Sequence, residues 1–325
     1  MGPGKKILLT GGAGFIGSSC LEAFVRTGAQ VVVLDALSEM LYGAEMKRDN
    51  LKEVRQHGEF EFHEVDIRQR AALEAVFAKH DDIDVVVHLA ALAGVRPSIA
   101  NAPKYYDVNV RGSATLMEVA RAHGVKRFVL ASSSSVYGTN TKTPFAEDDP
   151  VINPASPYAA SKRAMELMAQ TDFRLHGGDI TCLRFFTVYG PRQRPDMAIN
   201  KFMRIIAAKE RLPMFGDGTS GRDYTYIDDI VQGVCRAVEQ LDGYNVYNLG
   251  GDKVVLLKEL IATIADVMGV EALVDQLPMQ PGDVPLTMAD LTRSRAELGY
   301  SPTTALRQGV EKMWAWHQRR YHGTA

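Results

Sequence analysis

A glycine-rich turn lies close to the N-terminus and restricts the fold more than any other segment of the chain. The turn reads Gly11-Gly12-Ala13-Gly14-Phe15-Ile16-Gly17. An apolar run of strand length, residues 6–10, precedes it, and residues 15–27 after it have helical spacing. Glycines at such a strand-to-helix turn let the backbone approach a pyrophosphate and point free amides at it. The residues predicted to bind a dinucleotide here are Gly11, Gly14, Phe15, Ile16 and Gly17.

Acidic residues end the second and third predicted strands and fit the adenosine half of such a ligand. The second strand ends in Asp35, whose carboxylate can accept hydrogen bonds from both ribose hydroxyls and would repel a 2'-phosphate. No basic residue occupies the next two positions, so the sequence predicts NAD and not NADP as the cofactor. The third strand ends in Asp66-Ile67, which we expect at the adenine edge; alternatively, Asp66 is an ordinary helix cap.

Strand and helix patterns alternate up to about residue 186, which predicts an α/β fold with a doubly wound parallel sheet (Rossmann). The predicted strands lie near 6–10, 30–34, 59–65, 84–89, 127–132 and 180–185. Beyond them we predict helices near 196–209, 227–240, 256–268 and 304–321, and a strand at 244–249 that returns to the main sheet. The expected division is an NAD-binding domain, residues 1–186 plus about 226–252, and a second, smaller, interleaved substrate lobe, residues 187–225 and 253–325.

Tyr158 and Lys162 stand four residues apart in a segment with helical spacing. On a helix such positions share one face, so the phenol and the ammonium can point into the same pocket. A nearby cation stabilises phenolate and would bring a group with an ordinary pKa of about 10 toward working pH. The pair predicts a nicotinamide redox site with Tyr158 as its base. The alternative is a surface helix with an accidental spacing.

The composition excludes several other kinds of protein. The net charge of the 325 residues is −2, so the sequence predicts no face that binds nucleic acid. The three cysteines, Cys20, Cys182 and Cys235, lie far apart in apolar segments and predict reduced thiols, not a disulfide framework or a zinc site. No apolar stretch reaches membrane-spanning length. We expect a cytoplasmic protein with no metal and no membrane contact.

The motifs together resemble those of the extended short-chain dehydrogenases/reductases, in particular the nucleotide-sugar epimerase and dehydratase group, from residue 7 to about residue 310. The shared motifs, in chain order, are the glycine turn, Asp35, Leu89-Ala90-Ala91, Asn109, the serine run 132–135 and the Tyr158/Lys162 pair. The resemblance implies a Rossmann fold that binds NAD. It also implies that Leu89, Ala90, Ala91 and Asn109 belong to the cofactor site.

The resemblance also assigns catalytic roles. In the family the tyrosine is the base, the lysine holds the nicotinamide ribose, and a serine or threonine at the Ser133 position binds the reacting hydroxyl. The family's dehydratases carry an Asp and a Glu at the next two positions, and its UDP-xylose-forming decarboxylases carry a Glu at the second; here these residues are Ser134 and Ser135. Without carboxylates, elimination of water has no proton carriers. The expected reaction is epimerisation, by oxidation and re-reduction at carbon 4 of a nucleotide-linked sugar.

Two arginines after the sixth strand indicate which sugar is bound. The arrangement Arg194-Pro195-Asp196-Met197 is distinctive of the family branch that acts on UDP-linked glucuronate. Guanidinium groups bind a carboxylate in a fork, and Thr187 with the serine run can complete the hydrogen bonds. We therefore expect Arg192 and Arg194 to contact the sugar carboxylate, with Thr187, Ser134 and Ser135 beside them. Alternatively, the two arginines pair with the pyrophosphate or with Asp196.

The nucleotide end of the substrate has its own predicted contacts. Pro213 and Phe215 form an apolar slot suited to uracil. In relatives an arginine at the Arg222 position meets the pyrophosphate, and an aspartate at the Asp283 position binds the uridine ribose. Gln280 stands where glucose-type epimerases carry a basic residue, so the phosphate clamp rests more on Arg222. The predicted substrate is a UDP-sugar of the glucuronate type.

Three alternatives remain open at this point: a UDP-glucose-type 4-epimerase, a UDP-glucuronate decarboxylase, and a non-enzymatic NAD-binding regulator on the same fold. Tyr158, Lys162 and Ser133 argue against the last. The chain is also predicted to form a homodimer through helices near 103–123 and 157–176, since residues 158–174 carry apolar side chains on more than one face.

Overall fold

A computed structural model describes residues 4–278 and 285–322. The strands in these residues are β1 (Lys6–Thr10), β2 (Gln30–Asp35), β3 (Glu61–Glu64), β4 (Val85–His88), β5 (Arg127–Ser133), β6 (Asp179–Phe185), β7 (Thr187–Tyr189), β8 (Leu212–Phe215), β9 (Gly221–Tyr226), β10 (Tyr244–Leu249), β11 (Val254–Leu256) and β12 (Val274–Leu277). The helices are α1 (Phe15–Arg26), α2 (Ala44–Val54), α3 (Arg70–Lys79), α4 (Val95–Ala100), α5 (Ala102–Tyr106), α6 (Ser113–Ala122), α7 (Pro157–His176), α8 (Ala198–Ala207), α9 (Ile227–Glu239), α10 (Leu257–Met268), α11 (Thr292–Leu298) and α12 (Leu306–His322).

The main sheet has seven parallel strands in the order β10-β6-β5-β4-β1-β2-β3, and the predicted doubly wound α/β fold is confirmed. Strand β10 pairs with β6, so the chain returns to the sheet at residues 244–249 as predicted. Strand β1 stands between β2 and β4, where the winding of the chain reverses. In such sheets ligands bind at the carboxyl ends of the strands beside this switch point.

Apolar residues bury both faces of the main sheet. Along β1, Leu8 packs on one side together with Val32 and Val86, whereas Ile7 and Leu9 pack on the other side. Successive residues of a strand point to opposite faces, so a strand covered by helices on both faces reads as a continuous apolar run. Burying one side chain of this size contributes about 1.5–3 kcal/mol to stability. This is why apolar runs of the sequence locate the central strands of the main sheet.

The second half of the chain also builds two smaller sheets that the sequence patterns did not predict. Strands β7, β9 and β11 form a three-stranded sheet, and β8 pairs with β12. Helices α8, α9, α10 and α12 lie within three residues of their predicted bounds at every end. The proposed division into an NAD-binding domain and a substrate lobe stays a prediction.

Two further findings bear on the kind of protein. Cys20, Cys182 and Cys235 are free thiols, and the first two are buried. None of the helices in the described part of the chain combines the length and the apolar character that a membrane span requires. The cytoplasmic location and the homodimer stay predictions.

Candidate active site

A cavity of about 730 Å³ opens at the carboxyl ends of the main-sheet strands. Most of the predicted site residues line it: Gly11, Gly14, Phe15, Ile16, Gly17, Asp35, Asp66, Ile67, Leu89, Ala90, Ala91, Ser133, Ser134, Ser135, Tyr158, Lys162, Thr187, Arg194 and Arg222. Four predicted residues lie outside its lining: Asn109, Arg192, Pro213 and Phe215. Asp283 falls outside the described residues.

The glycine turn lies against the end of β4 so closely that side chains are excluded. Gly11 has a φ of +72°, and a Cβ there would lie 2.7 Å from the amide nitrogen of Ala90. A Cβ on Gly17 would collide with the carbonyl oxygen of Gly11. Helix α1 begins after Gly14, and no side chain caps this end. Backbone amides and the helix dipole therefore face the cavity, an arrangement that fits the pyrophosphate of a dinucleotide.

Asp35, at the end of β2, is held by two backbone amides. Its Oδ2 accepts from the amide of Ala13 at 3.1 Å, and its Oδ1 accepts from the amide of Leu37 at 2.9 Å. Burial raises the pKa of this carboxyl, and the positive charge of Lys47 acts in the opposite direction. Each carboxylate oxygen keeps a further acceptor position, so Asp35 can also receive the hydroxyls of an adenosine ribose.

Lys47 is a residue of this site that the sequence reasoning missed. It lies in α2, donates to the carbonyl of Ser38 at 2.6 Å, and stands 4.8 Å from the centre of the Tyr42 ring. Both Lys47 and Tyr42 line the cavity. Burial lowers the pKa of Lys47, and the nearby Asp35 raises it. No sequence signal identified this lysine, because its position on α2 looks like any solvated helix position.

Asp66 and Ile67 follow β3 and line the same end of the cavity. Asp66 Oδ1 accepts from the amide of Arg68 at 2.9 Å, and Oδ2 accepts from Arg68 Nη2 at 2.6 Å. These bonds hold the pKa of Asp66 below its ordinary value. Helix α3 has Gln69 at its N-cap position, so the alternative that Asp66 caps this helix is wrong.

Tyr158 and Lys162 lie in the first turns of α7 and both face the cavity. Ser156 caps the helix, and its Oγ accepts from the amide of Ala159 at 3.1 Å. The side chain of Lys162 crosses to the end of β5, where Nζ donates to the carbonyl of Ala131 at 2.7 Å. The four-residue spacing thus places phenol and ammonium in one cavity, as predicted.

The electrostatics of this pair differ from the prediction. Burial raises the pKa of Tyr158, whereas a hydrogen bond with Ser133 and the positive charge of Arg194 lower it. Lys162 is itself desolvated, and burial lowers its pKa to about 8. The net effect is a raised pKa for Tyr158, whereas the sequence predicted a lowered one. Among the described residues, Arg194 is a cation whose charge favours phenolate, and the predicted effect of Lys162 on the phenol stays a prediction.

The serine run forms the wall next to Tyr158. Ser133 ends β5, and Ser134 begins a short 3-10 turn over residues 134–137. The Ser133 hydroxyl donates to Ser135 Oγ at 3.1 Å and accepts from the Ser135 amide at 3.2 Å. The wall therefore presents hydroxyl groups, and no carboxylate, to the cavity beside the candidate base.

Asn109 supports the site from behind. Its Oδ1 accepts from the amide of Leu92 at 2.8 Å, and its Nδ2 donates to the carbonyl of Leu92 at 2.9 Å and to Ser161 Oγ at 3.0 Å. These bonds fix the segment after β4 to helix α7. The predicted direct contact of Asn109 with the cofactor is corrected to this positioning role, because both ends of its amide are occupied inside the protein.

Arg194 reaches into the cavity beside Tyr158. Its Nε and Nη2 form a fork on the Asp196 carboxylate, at 3.0 and 2.7 Å, and only 12% of its side chain is exposed. One of the alternatives from the sequence, a pair with Asp196, is therefore present. Its charge lowers the pKa of Tyr158, as noted, and also that of Tyr105 and Tyr42, whose pKa values burial raises.

Arg192 does not reach the cavity, and its predicted substrate contact is corrected. Its Nε donates to Glu53 Oε2 at 2.9 Å and its Nη2 donates to Glu22 Oε2 at 2.8 Å. These carboxylates belong to α2 and α1. The residue has a φ of +66°, in the left-handed region that few non-glycine residues adopt. The sequence did not show this, because the two acids are more than a hundred residues away.

The predicted nucleotide contacts are only partly present in the cavity. Arg222 lines it from β9 and donates to the carbonyls of Gly221 and Pro285 at 2.8 and 3.4 Å. Phe215 does not line it, but Arg96, which does, lies over the Phe215 ring at 5.4 Å from its centre. Pro213 pairs within the β8–β12 sheet instead. The predicted uracil slot is therefore not part of this cavity.

The chain is similar in sequence and fold to enzymes that act on nucleotide sugars. Residues 7–250 match the model of the NAD dependent epimerase/dehydratase family. The chain is 39% identical over 310 residues to a UDP-glucuronate 4-epimerase of Thermodesulfobacterium geofontis (strain OPF15), covering 95% of each. The structure of UDP-glucuronic acid 4-epimerase from Bacillus cereus in complex with UDP-glucuronic acid and NAD is 34% identical with a TM-score of 0.90, covering 97% of this chain and 100% of that chain. A UDP-N-acetylglucosamine 4-epimerase from Methanobrevibacter ruminantium M1 in complex with UDP-N-acetylmuramic acid is 30% identical with a TM-score of 0.89, over 98% and 100%.

Proposed function

The chain belongs to the NAD dependent epimerase/dehydratase family, and we propose that it is an isomerase, an NAD-dependent UDP-glucuronate 4-epimerase that forms UDP-galacturonate. The observation that carries this proposal is that Arg194 and Tyr158 line the same cavity, where burial raises the pKa of Tyr158 and the charge of Arg194 opposes that rise. Guanidinium is the group best suited to bind a carboxylate in a fork. A carboxylate-binding group thus stands beside the candidate base, as a uronate substrate requires.

Each residue of the candidate site is assigned a role in the proposed reaction. NAD, when bound, supplies the hydride acceptor and donor at carbon 4 of the sugar. Tyr158 Oη accepts the proton of the carbon-4 hydroxyl and returns it when the new hydroxyl forms. We assign Ser133, which lines the same cavity as Tyr158, to hold that hydroxyl in line with the phenol. Lys162 and the glycine turn hold the cofactor, and Asp35 orients its adenosine ribose.

The cavity lacks the groups that elimination of water would need. Among its described lining residues, three carry carboxylates: Asp35, Asp66 and Asp196. The first two lie at the ends of β2 and β3, and Asp196 is paired with Arg194. Ser134 and Ser135 stand at the positions next to the reacting hydroxyl and cannot act as a general acid and base near neutral pH. The site therefore supports oxidation and reduction at one carbon.

The carboxylate of the substrate must also be held. Oxidation at carbon 4 of a glucuronate gives a β-keto acid, which loses carbon dioxide readily when the bond to the carboxylate is perpendicular to the carbonyl plane. We assign Arg194, with Thr187 and the serine hydroxyls, to hold the carboxylate in an orientation that resists this loss. For this Arg194 exchanges its fork on Asp196 for one on the substrate.

The experiment is to incubate the protein separately with UDP-glucuronate and UDP-glucose and to identify the products by NMR. The expected product is UDP-galacturonate from the first, with little conversion of the second. Mainly UDP-xylose or a keto pentose from UDP-glucuronate would indicate a decarboxylase. Efficient conversion of UDP-glucose alone would indicate a glucose-type epimerase, and either result would overturn the proposal.

We also propose that the protein is a homodimer. Helix α7 packs against α4, α5 and α6. Large apolar side chains on α4, α5 and α7 are exposed in the single chain: Ile99, Tyr106, Leu167 and Leu175. Exposed apolar groups that lie on neighbouring helices support an interface between two copies.

A further inference from the structure

Two histidines and a glutamate meet at the far edge of the main sheet, away from the candidate active site. Glu61 and His63 are the first and third residues of the edge strand β3. Because side chains alternate along a strand, both point to the same face of the sheet. His80 follows α3, which runs back along that face. All three lie near the start of β3, whereas Asp66 and the cavity lie beyond its end.

The three side chains converge on one point. Nε2 of His63 lies 2.7 Å from Glu61 Oε1, and Nε2 of His80 lies 3.4 Å from the same oxygen. These three atoms lie within 4.8 Å of one another. The imidazole rings stand at 78° to each other with their centres 5.8 Å apart. Two nitrogens and one oxygen therefore lie close enough together to contact a single ion.

The ring nitrogens in this cluster are buried without a directional partner. Nε2 of His63 and Nε2 of His80 are both inaccessible, and neither makes a hydrogen bond of acceptable geometry within the described residues. His80 has only 7% of its side chain exposed. Buried polar atoms in native proteins are nearly always satisfied, and a bound ion is one way to satisfy them. The two nitrogens are aimed at the space that such an ion would fill.

We propose that Glu61, His63 and His80 form a site for a divalent transition-metal ion, with Zn²⁺ as the best match. Imidazole nitrogen and carboxylate oxygen suit Zn²⁺, which binds them at about 2.0–2.2 Å with tetrahedral geometry. Ligands at that distance lie roughly 3.3–3.6 Å apart, so the Glu61–His80 separation already fits and the other two need only small side-chain shifts. Three protein ligands leave the fourth position to water. The ion would tie edge strand β3 to the end of α3.

Lys79 is the competitor for this site. Its Nζ forms an ion pair with Glu61 Oε1, the oxygen on which both histidines converge. The side chain of Lys79 is 59% exposed, so it can move into solvent when a cation binds. Exposed ion pairs contribute little to stability, and their loss costs little. Removing the lysine should therefore favour the metal, an effect that a purely structural ion-pair cluster would not show.

The test measures Zn²⁺ binding to the full-length protein by calorimetry, and bound zinc after dialysis by elemental analysis. We expect one Zn²⁺ per chain and a rise in the melting temperature, because an ion that binds only the folded state stabilises it. His63→Gln and Glu61→Gln should weaken binding at least tenfold, and Lys79→Gln should strengthen it several-fold. His57→Gln, a partly exposed histidine elsewhere, is the matched control and should bind like the parent.

Substitution with Co²⁺ tests the ligand type, since an absorption spectrum without sulfur-to-cobalt charge transfer in the near ultraviolet excludes the free cysteines. His80→Gln is the third ligand variant, but its burial makes it the one most prone to misfold. The proposal therefore rests on the more exposed His63 and on Lys79. It is overturned if the parent binds no zinc, if His63→Gln binds zinc like the parent, or if Lys79→Gln weakens binding.

Discussion

The phenol of Tyr158 is held between opposing influences on its pKa. Burial favours the neutral phenol, and Ser133 and Arg194 favour phenolate. A base that is desolvated in the resting site gives up its own proton only when charge around it favours phenolate. The rate of the reaction should therefore depend on this hydroxyl far more than on the ring that carries it.

We predict that Tyr158→Phe keeps the fold and NAD binding but loses turnover by about 10²–10⁴-fold, the usual contribution of a positioned acid–base group. The ring still packs against Tyr105, whose ring centre lies 6.3 Å away. Turnover is measured with UDP-glucuronate, and NAD binding by calorimetry. Activity within tenfold of the parent would refute the assignment of Tyr158 as the base.

Arg194→Ala should lower activity toward UDP-glucuronate far more than activity toward UDP-glucose. A charge-assisted contact is worth about 1.5–3 kcal/mol, so kcat/KM for UDP-glucuronate should fall roughly ten- to a hundredfold or more. The effect on UDP-glucose should be much smaller, and the variant should release some keto pentose and leave some enzyme as NADH. The measurements are kinetics with both sugars and NMR of the products.

Arg211→Ala is the matched control for that change, since Arg211 is an exposed arginine paired with Asp275 outside the cavity. It should behave like the parent. If Arg194→Ala turns over UDP-glucuronate like the parent, the carboxylate is held by other groups.

The cofactor preference should depend on Asp35. The parent should bind NAD far more tightly than NADP because a 2'-phosphate would meet this carboxylate. Asp35→Ala should reduce the difference in affinity between NAD and NADP, because the Lys47 ammonium then faces the 2'-phosphate with no carboxylate beside it. Adding Lys47→Gln to Asp35→Ala should increase the difference in affinity again. Calorimetry with both cofactors provides the test, and equal affinities in the parent would remove the role of Asp35.

At the scale of elements, the sequence predicted the strands and helices that depend on neighbouring residues and missed the short strands that depend on distant segments. Strand β1, the glycine turn and α1 follow one another in the chain, so a short window contains the whole pattern. Strands β7, β8 and β9 are three to six residues long and exist because they pair with distant segments. Their residues carry no periodicity long enough to predict a strand.

The same distinction holds for the site. The positions of Asp35 and the Tyr158/Lys162 pair at the cavity could be predicted because each follows from a short pattern along the chain. Lys47 was missed, and Arg192 was misplaced, because each depends on a tertiary contact. Arg192 meets its two carboxylates only after the sheet has brought α1 and α2 beside the loop that follows β7.

His88 joins three elements of the sheet layer. It ends β4, its Nδ1 lies 2.7 Å from Thr10 Oγ1 of β1, and its Nε2 lies 2.9 Å from Ser113 Oγ of α6. Burial lowers its pKa to about 3. The folded protein thus keeps the imidazole neutral, while the unfolded chain binds a proton below about pH 6.5. A depressed folded pKa gives stability that is present above the unfolded pKa and is lost as the pH falls toward the folded value.

We predict that protonation of His88 in the unfolded chain lowers the free energy of unfolding of the parent by about 2 kcal/mol as the pH falls from about 7 to about 5. His88→Gln should lack that part of the acid sensitivity, although it is less stable than the parent at neutral pH. Urea unfolding of both proteins at the two pH values, at equal protein concentration, measures the difference. Equal losses in parent and variant would contradict the buried neutral imidazole.

At the scale of the whole molecule, the exposed apolar side chains on α4, α5 and α7 predict a dimer in solution. Ile99 and Leu175 are 57% and 71% exposed in the single chain. Light scattering at micromolar concentration should give twice the chain mass. Leu167→Glu with Leu175→Glu should shift the protein to the monomer, whereas Leu273→Glu, an exposed leucine outside these helices, should not. A parent that is monomeric under these conditions would exclude the proposed interface.

The anchoring of Arg192 has a consequence for how the enzyme's selectivity could change. Arg194 enters the cavity two residues after an arginine clamped by Glu22 and Glu53, which lie on helices of the opposite half of the fold. These ion pairs fix the backbone of the loop at Arg192, and therefore the position that the Arg194 guanidinium reaches in the cavity. Preference for one sugar over another could thus be altered by replacing acids that never touch the sugar, at positions that no inspection of the cavity wall would select.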